Sequence, residues 1–376
     1  MLRRTVIICI LIAFIVGAFA PLSAGAEGAV DVNVSASGAV LIEAESGRIL
    51  YQKDADKRRP MASTTKIMTA LVALEYGDLD APIRIPAEAV GIEGSSLYLV
   101  ENEVLTLREL LYGLMLRSAN DAAAAIAVAI AGSVFDFSEM MNEKTEEMGL
   151  KDTHFDNPHG LDSESHYTTA YELALITAEA LKNEVFREIV STQKILLPQL
   201  NVPDRRLVVN HNRLLRTYDG CIGVKTGFTK KDGRCLVSAA ERDGVTLIAV
   251  TLNAPDDWND HKKMLDSGFS AIKRVKISSD GIEGYLPTVG AKTDMIKYGA
   301  VGDTSAILPN DAGELRVVIE LPRFVFAPVK AGDIIGRAVF YDGENEVASL
   351  PIEALTDAPK RKVKKTFWQW LLGLFR

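Results

Sequence analysis

Apolar positions in the first part of the chain predict a hairpin followed by a buried helix. Mostly apolar stretches at 39–45 and 48–51 lie on either side of a Ser46-Gly47 turn, a pattern typical of two antiparallel strands. After Pro60 the spacing changes, and apolar residues recur on one face of a predicted helix: Ile67, Met68, Leu71, Val72 and Leu74. The sequence therefore predicts that the chain enters a helix at Ser63.

Capping signals predict two further helices in the middle of the chain. Thr106 and Glu109 have the spacing of a capping box, and the helix that they open should end near Arg117. An alanine-rich run over 121–131 predicts the next helix. Ser118-Ala119-Asn120 therefore falls on the connection between two buried helices.

The later part of this region predicts another helix and an antiparallel sheet. Thr169 and Glu172 form a second predicted capping box. Three apolar runs predict strands over 222–229, 236–240 and 245–251. Asp243-Gly244 is a hairpin signal between the last two runs. A helical pattern then follows at Lys262, Met264, Leu265 and Phe269. Early strands, a helical middle and late strands together indicate an α+β domain.

From about Val275 the pattern changes to short β-like runs between Gly, Asn and Asp turns. The clearest runs cover 316–321, 334–341 and 346–350, and no helical period accompanies them. This predicts a small all-β domain that ends near Leu355. Its sequence offers no constellation that we connect to chemistry.

The N-terminus predicts an export signal. Arg3-Arg4 precedes a mostly apolar run over 5–20, and Ala24-Gly25-Ala26 offers a cleavage site. The alternative is an uncleaved anchor, but the run is short for a spanning helix.

The C-terminus predicts a membrane anchor of a different kind. A basic cluster over 360–365 precedes aromatic and apolar residues: Phe367, Trp368, Trp370, Leu371, Leu372, Leu374 and Phe375. This stretch is too short to span a bilayer, but it suits the interface of an anionic membrane. The alternative is a helix that docks on the protein's own core.

These patterns predict a signal peptide at 1–26, a catalytic domain at 27–274, a β-rich domain at 275–356 and a basic amphipathic anchoring helix at 357–376. They also predict an exported protein held at the outer face of the cytoplasmic membrane.

Charge and composition exclude several classes of function. The formal charge of −8 becomes −16 once the basic ends over 1–26 and 359–376 are removed, which argues against a nucleic-acid partner. None of the five histidines stands in a metal-binding pair, so we predict no metal and no cofactor. Cys221 and Cys235 flank one predicted strand and could face each other across a strand pair, but we expect free thiols.

Three short motifs in a fixed order carry the candidate chemistry. Ser63-Thr64-Thr65-Lys66 is followed by Ser118-Ala119-Asn120 and then by Lys225-Thr226-Gly227. Ser-x-x-Lys also occurs at 191–194 and 270–273, but only the first copy has both other motifs downstream. The ordered set supplies a nucleophile, a base, a polar relay and a cationic anchor.

The spacing of these residues suits acyl transfer without histidine. Residues i and i+3 share a helix face, so Ser63 and Lys66 should point the same way. Lys66 acts as a base only if it is neutral, which requires burial or a nearby cation such as Lys225. Ser118 would relay the proton to the leaving group, and Asn120 would orient Lys66 or the substrate amide.

The third motif is predicted to bind the substrate. Lys225 and Thr226 would hold a substrate carboxylate, while Gly227 lets an extended substrate lie along the strand edge. The backbone N–H groups of Ser63 and Phe228 are the candidate oxyanion hole.

The segment 62–70 resembles the active-site segment of the low-molecular-mass penicillin-binding proteins, which are serine-type D-alanyl-D-alanine carboxypeptidases. The segments 157–161, 210–215 and 223–229 resemble the same family, and the likeness runs from about Val30 to Phe269. The resemblance implies a DD-peptidase/β-lactamase-like fold, an antiparallel sheet with a helical subdomain. It also implies a peptidoglycan stem pentapeptide as substrate and acylation of Ser63 by penicillins.

One departure from the family pattern affects the substrate carboxylate. Some members place an arginine after the late strands, whereas the segment 253–258 of this chain has none. Carboxylate binding would then depend on Lys225 and Thr226, or on another basic residue.

Two other functions fit parts of the sequence. A class A β-lactamase would need a Glu-x-x-Leu-Asn segment, and neither Leu200-Asn201 nor Leu252-Asn253 has a glutamate in that place. A non-catalytic wall-associated protein would not need the complete set of motif residues.

Overall fold

In the computed structural model, residues 30–197 and 205–362 are described. The first elements are strands β1 (Gly38–Glu43) and β2 (Ile49–Lys53), a 3₁₀ turn at Ala62–Thr65, helix α1 (Lys66–Tyr76), and strands β3 (Pro82–Arg84) and β4 (Val104–Thr106). A second 3₁₀ turn, at Ala87–Ala89, lies between β3 and β4. The predicted early hairpin is confirmed, because β1 and β2 pair antiparallel.

The middle of the chain is helical. It contains α2 (Leu107–Tyr112), a π-helical turn (Gly113–Arg117), α3 (Asn120–Ala131), α4 (Val134–Glu147), α5 (Ala170–Leu181) and α6 (Glu184–Ser191). The Thr106–Glu109 capping box is confirmed in both directions. No single helix within the two described ranges is long and apolar enough to cross a membrane, although α3 and α4, bent by 83°, meet that criterion as a pair.

The second predicted capping box forms only in part. The Thr169 side chain caps α5 by accepting a hydrogen bond from the Glu172 amide, as predicted. The Glu172 carboxylate, however, accepts hydrogen bonds from the amides of Lys151 and Asp152 and from the Thr153 hydroxyl. Hydrogen bonds from the 151–153 loop therefore take the place of the predicted bond between the Glu172 carboxylate and the Thr169 amide.

The late elements complete one sheet. They are β5 (Lys194–Leu197), β6 (Arg206–Val209), α7 (Leu214–Thr217), β7 (Cys221–Thr229), β8 (Gly233–Arg242), β9 (Val245–Leu252) and α8 (Asp257–Ala271). The five-stranded sheet has the order β2-β1-β9-β8-β7 and is antiparallel throughout. The strand that carries Lys-Thr-Gly, β7, therefore lies at an edge.

The sheet is buried on both faces. Val40 and Ile42 of β1 pack with the helices of the middle region, whereas Leu41 packs with Met264 and Leu265 of α8. This alternation follows the period of two in a strand. Both thiols are free, as expected. Cys221 and Cys235 lie on the paired strands β7 and β8, but Cys221 is opposite Ala240 and Cys235 is opposite Gly227, so the two thiols do not face each other.

The remaining strands form an all-β unit, as the sequence predicts. They are β10 (Ile272–Ser278), β11 (Glu283–Val289), β12 (Met295–Ala300), β13 (Asp303–Pro309), β14 (Arg316–Glu320), β15 (Val325–Phe326), β16 (Ile334–Asp342) and β17 (Asn345–Ala354). β10 pairs with β13, and the others form a sheet in the order β14-β16-β17-β12-β11-β15. This unit has its own apolar core around Ala338 and Ile352.

The predicted signal peptide and most of the predicted anchoring helix lie outside the described residues. Of the basic cluster, Lys360 forms a bridge with Ala291, and the Arg361 amide donates to the Gly290 carbonyl. These three boundaries between predicted regions, at 26, 274 and 356, stay predictions.

Candidate active site

Ser63 lies in the 3₁₀ turn that immediately precedes α1. Thr64 and Thr65 tighten this turn by donating their hydroxyls to the Met61 and Ala62 carbonyls, at 2.6 and 2.7 Å. Ala62 has a φ of 48°, in the left-handed region that a residue with a Cβ seldom adopts. The turn leaves Ser63 half-buried, whereas both threonines are buried. The hydroxyl of Ser63 is thus presented from a tightly constrained backbone.

Lys66 contacts that hydroxyl directly. Its Nζ lies 3.0 Å from Ser63 Oγ and 2.7 Å from Asn120 Oδ1, and it also donates to the His159 carbonyl. The side chain is completely buried. The i,i+3 placement expected from the sequence therefore brings the amine into hydrogen-bond reach of the candidate nucleophile.

Burial holds the pKa of Lys66 well below its ordinary value, and the Lys225 ammonium lowers this pKa further. The Asp121 carboxylate acts in the opposite direction but is the weakest of the three influences. Both of these stronger influences favour the neutral amine, which is the form that can accept a proton from a hydroxyl. The electrostatics thus match the requirement stated for Lys66 from the sequence.

The π-helical turn after α2 brings Ser118 and Asn120 to the same place. Ser118 has a φ of 63°, which ends the turn and lets α3 begin at Asn120. Asn120 contacts Lys66 through Oδ1 and donates from Nδ2 to the Glu93 carbonyl at 2.5 Å. Both side chains are buried. Asn120 therefore orients Lys66 in this structure.

β7 closes the other side of the cleft. A Cβ added to Gly227 would lie 3.1 Å from the Ser63 nitrogen and 3.2 Å from the Met61 oxygen, so the strand edge lies directly against the active-site turn. Thr226 is half-buried, and Phe228 is 64% exposed. Only glycine permits this approach without displacing a neighbour.

The sequence predicts that Lys225 is a cation, but in the structure its charge depends on pH. It is buried, and its Nζ donates to the Thr226 carbonyl at 2.7 Å. Burial lowers its pKa to about 7. The Lys225 amine therefore changes between its charged and its neutral form near neutral pH.

Lys225 should make the stability of the protein depend on pH. Its pKa falls from 10.5 to about 7 on folding, so between these values the unfolded chain holds a proton that the folded chain lacks. Stability therefore rises with pH across this window, by roughly 5 kcal/mol in total. We expect Lys225→Met to flatten this rise, measured by urea unfolding at pH 7 and 9.5.

The exposed Lys230 provides the control for this measurement. Lys230→Met should keep the wild-type dependence on pH, because its ammonium stays in water in both states. Parallel curves for wild type and Lys225→Met would contradict the assigned shift.

Several residues of the site escaped the sequence reasoning. Gly160, with a φ of +83°, passes so close to the active-site turn that a Cβ there would lie 2.0 Å from the Ala62 oxygen. The buried His166 contacts Thr65 through Nε2 at 2.7 Å. Burial and the nearby Asp162 carboxylate raise the pKa of Asp232 to about 6, and this carboxyl also contacts the Ala62 amide. Gly160 falls within the segment 157–161 that resembles the family, whereas no motif in the sequence pointed to His166 or Asp232.

The structure thus brings Lys66 into contact with Ser63 and Asn120, places Lys225 near enough to lower the pKa of Lys66 after burial has done so, and sets Gly227 against the Ser63 amide. Ser118 is buried two residues before Asn120 in the chain. The two amines and the side-chain amide of the site come from distant parts of the chain: Lys66 from α1, Asn120 from α3 and Lys225 from β7. No group of three or more potential metal ligands occurs within 30–197 and 205–362. Chemically, the arrangement suits activation of a serine hydroxyl by an amine.

Comparison with known proteins gives matches over nearly the whole chain. The family model described as D-alanyl-D-alanine carboxypeptidase matches residues 24–256, and the model of the penicillin-binding protein 5 C-terminal domain matches residues 274–360. D-alanyl-D-alanine carboxypeptidase DacF of Bacillus subtilis is 32% identical over 89% of this chain and 90% of its own length. DacA of Haemophilus influenzae is 31% identical over the whole of both chains.

A solved structure shows the same relationship. Penicillin-binding protein 5 from Haemophilus influenzae superposes with a TM-score of 0.70 and 28% sequence identity, covering 89% of this chain and all of that one.

Proposed function

The chain belongs to the D-alanyl-D-alanine carboxypeptidase family and is a penicillin-binding enzyme of that class, and we propose that Ser63 is its nucleophile. The observation that carries this proposal is the 3.0 Å contact between Lys66 Nζ and Ser63 Oγ, made by a buried amine with a lowered pKa. The proposed substrate is a peptidoglycan stem pentapeptide that ends in D-alanyl-D-alanine.

In the proposed acylation step, Ser63 Oγ attacks the carbonyl carbon of the penultimate D-alanine. Lys66 accepts the hydroxyl proton, and the bond to the last residue breaks. The leaving amine takes a proton relayed by Ser118, so free D-alanine departs and an ester remains on Ser63. A water molecule then hydrolyses the ester with the same groups acting in reverse. Loss of the terminal D-alanine would limit cross-linking of the wall.

The tetrahedral intermediate needs donors for its oxyanion. We assign this role to the N–H groups of Ser63 and Phe228, because Gly227 brings β7 against the Ser63 amide. The substrate would lie extended along β7, which is the edge strand of its sheet and so can pair with a peptide.

A β-lactam would acylate the same oxygen. The direct test is mass spectrometry of the intact protein after penicillin treatment, with the adduct mapped to a peptide that contains Ser63. A carboxypeptidase should hold the label for minutes or longer, whereas a β-lactamase would release it quickly and a non-catalytic protein would not form it. An adduct on another residue would refute the assignment.

We further propose that the chain is exported and held at the outer face of the cytoplasmic membrane by its basic, aromatic C-terminus. Lys360 and Arg361 make backbone contacts with the β unit, so the truncation should begin after Lys362. Deleting 363–376 is expected to yield a water-soluble enzyme, because it removes the aromatic and apolar residues of the predicted anchor. Turnover of a soluble peptide should not change, because the deleted stretch contains none of the motif residues.

The measurement is co-sedimentation with vesicles that contain phosphatidylglycerol, together with the rate of D-alanine release. A full-length variant with Lys364 and Lys365 changed to Gln serves as the comparison for the electrostatic part of binding. Equal vesicle binding by the truncated and full-length proteins would contradict the anchor.

A further inference from the structure

A carboxypeptidase substrate ends in a free carboxylate, and the cleft needs a cation to hold it. Lys225 fills this need poorly, because it is buried, donates to the Thr226 carbonyl and has a pKa of about 7. The segment 253–258 contains no arginine. A permanently charged group must therefore come from elsewhere.

Arg234 occupies a suitable place on the strand beside the cleft. It lies on β8, directly opposite Phe228 in the register with β7. Thr226 is opposite Leu236, so Arg234 and Thr226 are diagonal neighbours on one sheet face. Such neighbours have backbones about 7–8 Å apart, which a long side chain can bridge. The guanidinium can thus approach the edge of β7 next to the Thr226 hydroxyl.

The Arg234 guanidinium forms an ion pair with Asp257 and is partly exposed to solvent. Its Nη2 lies 3.0 Å from Asp257 Oδ2, and it stands 5.8 Å from the centre of the Trp258 ring. The Asp257 side chain is only 3% exposed, whereas that of Arg234 is 42% exposed. Within residues 30–197 and 205–362, Asp257 is the one ion-pair partner of Arg234. A guanidinium has five N–H donors, so an edge remains for a second carboxylate.

We propose that Arg234, positioned by Asp257 and Trp258, binds the terminal carboxylate of the substrate together with the Thr226 hydroxyl. This inference rests on the proposed function and specifies how the same cleft recognises the end of the peptide. It makes Arg234 a specificity-determining residue, because it distinguishes a free C-terminus from a blocked one.

Two other arginines provide matched controls. Arg117 is exposed and precedes Ser118. Burial lowers the pKa of the His211 imidazole, and the nearby Lys225 and Arg117 cations lower this pKa further. Arg117 is therefore the rival cation of the cleft. Arg242 lies on the same strand as Arg234 but contacts the Asp219 carbonyl, at the other end of β8.

The experiment compares two peptides that differ only at the C-terminus. One is diacetyl-L-Lys-D-Ala-D-Ala, and the other is the same peptide with a C-terminal carboxamide. The readout is kcat/KM for release of D-alanine or of D-alaninamide. Arg234→Gln should lower kcat/KM for the acid by roughly 10- to 100-fold, the effect of losing a charged hydrogen bond, and change that for the amide by less than about 3-fold. Arg234→Lys should restore part of the loss.

Arg117→Gln and Arg242→Gln should leave the preference for the acid unchanged. An equal loss on both peptides would show that Arg234 only tethers α8, and it would overturn the inference while the proposed function stands. A selective loss of kcat/KM for the acid in Arg117→Gln instead of Arg234→Gln would also overturn the inference. So would equal kcat/KM values for the acid and the amide in the wild type. Release from neither peptide by the wild type would refute the proposed function and the inference with it.

Discussion

Ser63→Ala is expected to lower the rate of D-alanine release from a pentapeptide by at least about 10⁴-fold while leaving the fold intact. The variant lacks the oxygen that would form the ester, and neither threonine of the same turn can replace it. Both threonine hydroxyls are buried and donate to the Met61 and Ala62 carbonyls. Alanine fits the turn, because Ser63 Oγ accepts a hydrogen bond from Lys66 without supporting the backbone.

The chain contains its own control for this prediction. Ser191 also stands three residues before a lysine, but its hydroxyl donates to the Glu188 carbonyl on an exposed helix end. Ser191→Ala should therefore keep full activity and full penicillin labelling. Circular dichroism and urea unfolding would establish that both variants fold. Release of D-alanine by Ser63→Ala at the wild-type rate would exclude Ser63 as the nucleophile.

Lys66→Arg should be nearly as damaging, with acylation slowed by roughly 10²- to 10⁴-fold. Arginine can keep hydrogen bonds to Asn120 and to the His159 carbonyl, but it stays charged and cannot accept the proton of Ser63. Lys66→Met removes the base and the charge together and should slow acylation by a similar factor. Stopped-flow measurement of penicillin adduct formation isolates this step from hydrolysis of the ester.

The comparison for Lys66 is Lys194, the exposed lysine of the second Ser-x-x-Lys motif. Lys194→Met should form the adduct at the wild-type rate. If Lys66→Arg also formed it at that rate, Lys66 would act only by orienting its neighbours, and the base would have to be another group.

Local signals in the sequence predicted much of the fold. The Thr106 capping box, the Asp243-Gly244 turn and the early hairpin all depend on residues within a few positions of one another, and the structure contains each of them. The Glu172 carboxylate departs from its predicted partner because the amides of the 151–153 loop approach it from outside the helix. Such contacts depend on the tertiary fold, which local spacing does not encode.

The candidate site shows the same division. The motifs named the side chains that meet at Ser63, because their chemistry is visible in residue type and order. The carbonyl of His159, the close approach of Gly160 and the position of Arg234 opposite Phe228 were not visible. A backbone carbonyl has no signature in sequence, and the approach of two loops depends on packing between elements far apart in the chain.

The two buried amines, on α1 and β7, have a consequence for attempts to engineer this protein. Water would keep both groups charged, so each is held in its place by the surrounding fold at some loss of stability. A library selected only for resistance to heat is therefore expected to enrich apolar replacements at positions 66 and 225. Such variants would have a higher melting temperature but no activity. A screen for thermal stability should therefore measure turnover as well as melting temperature.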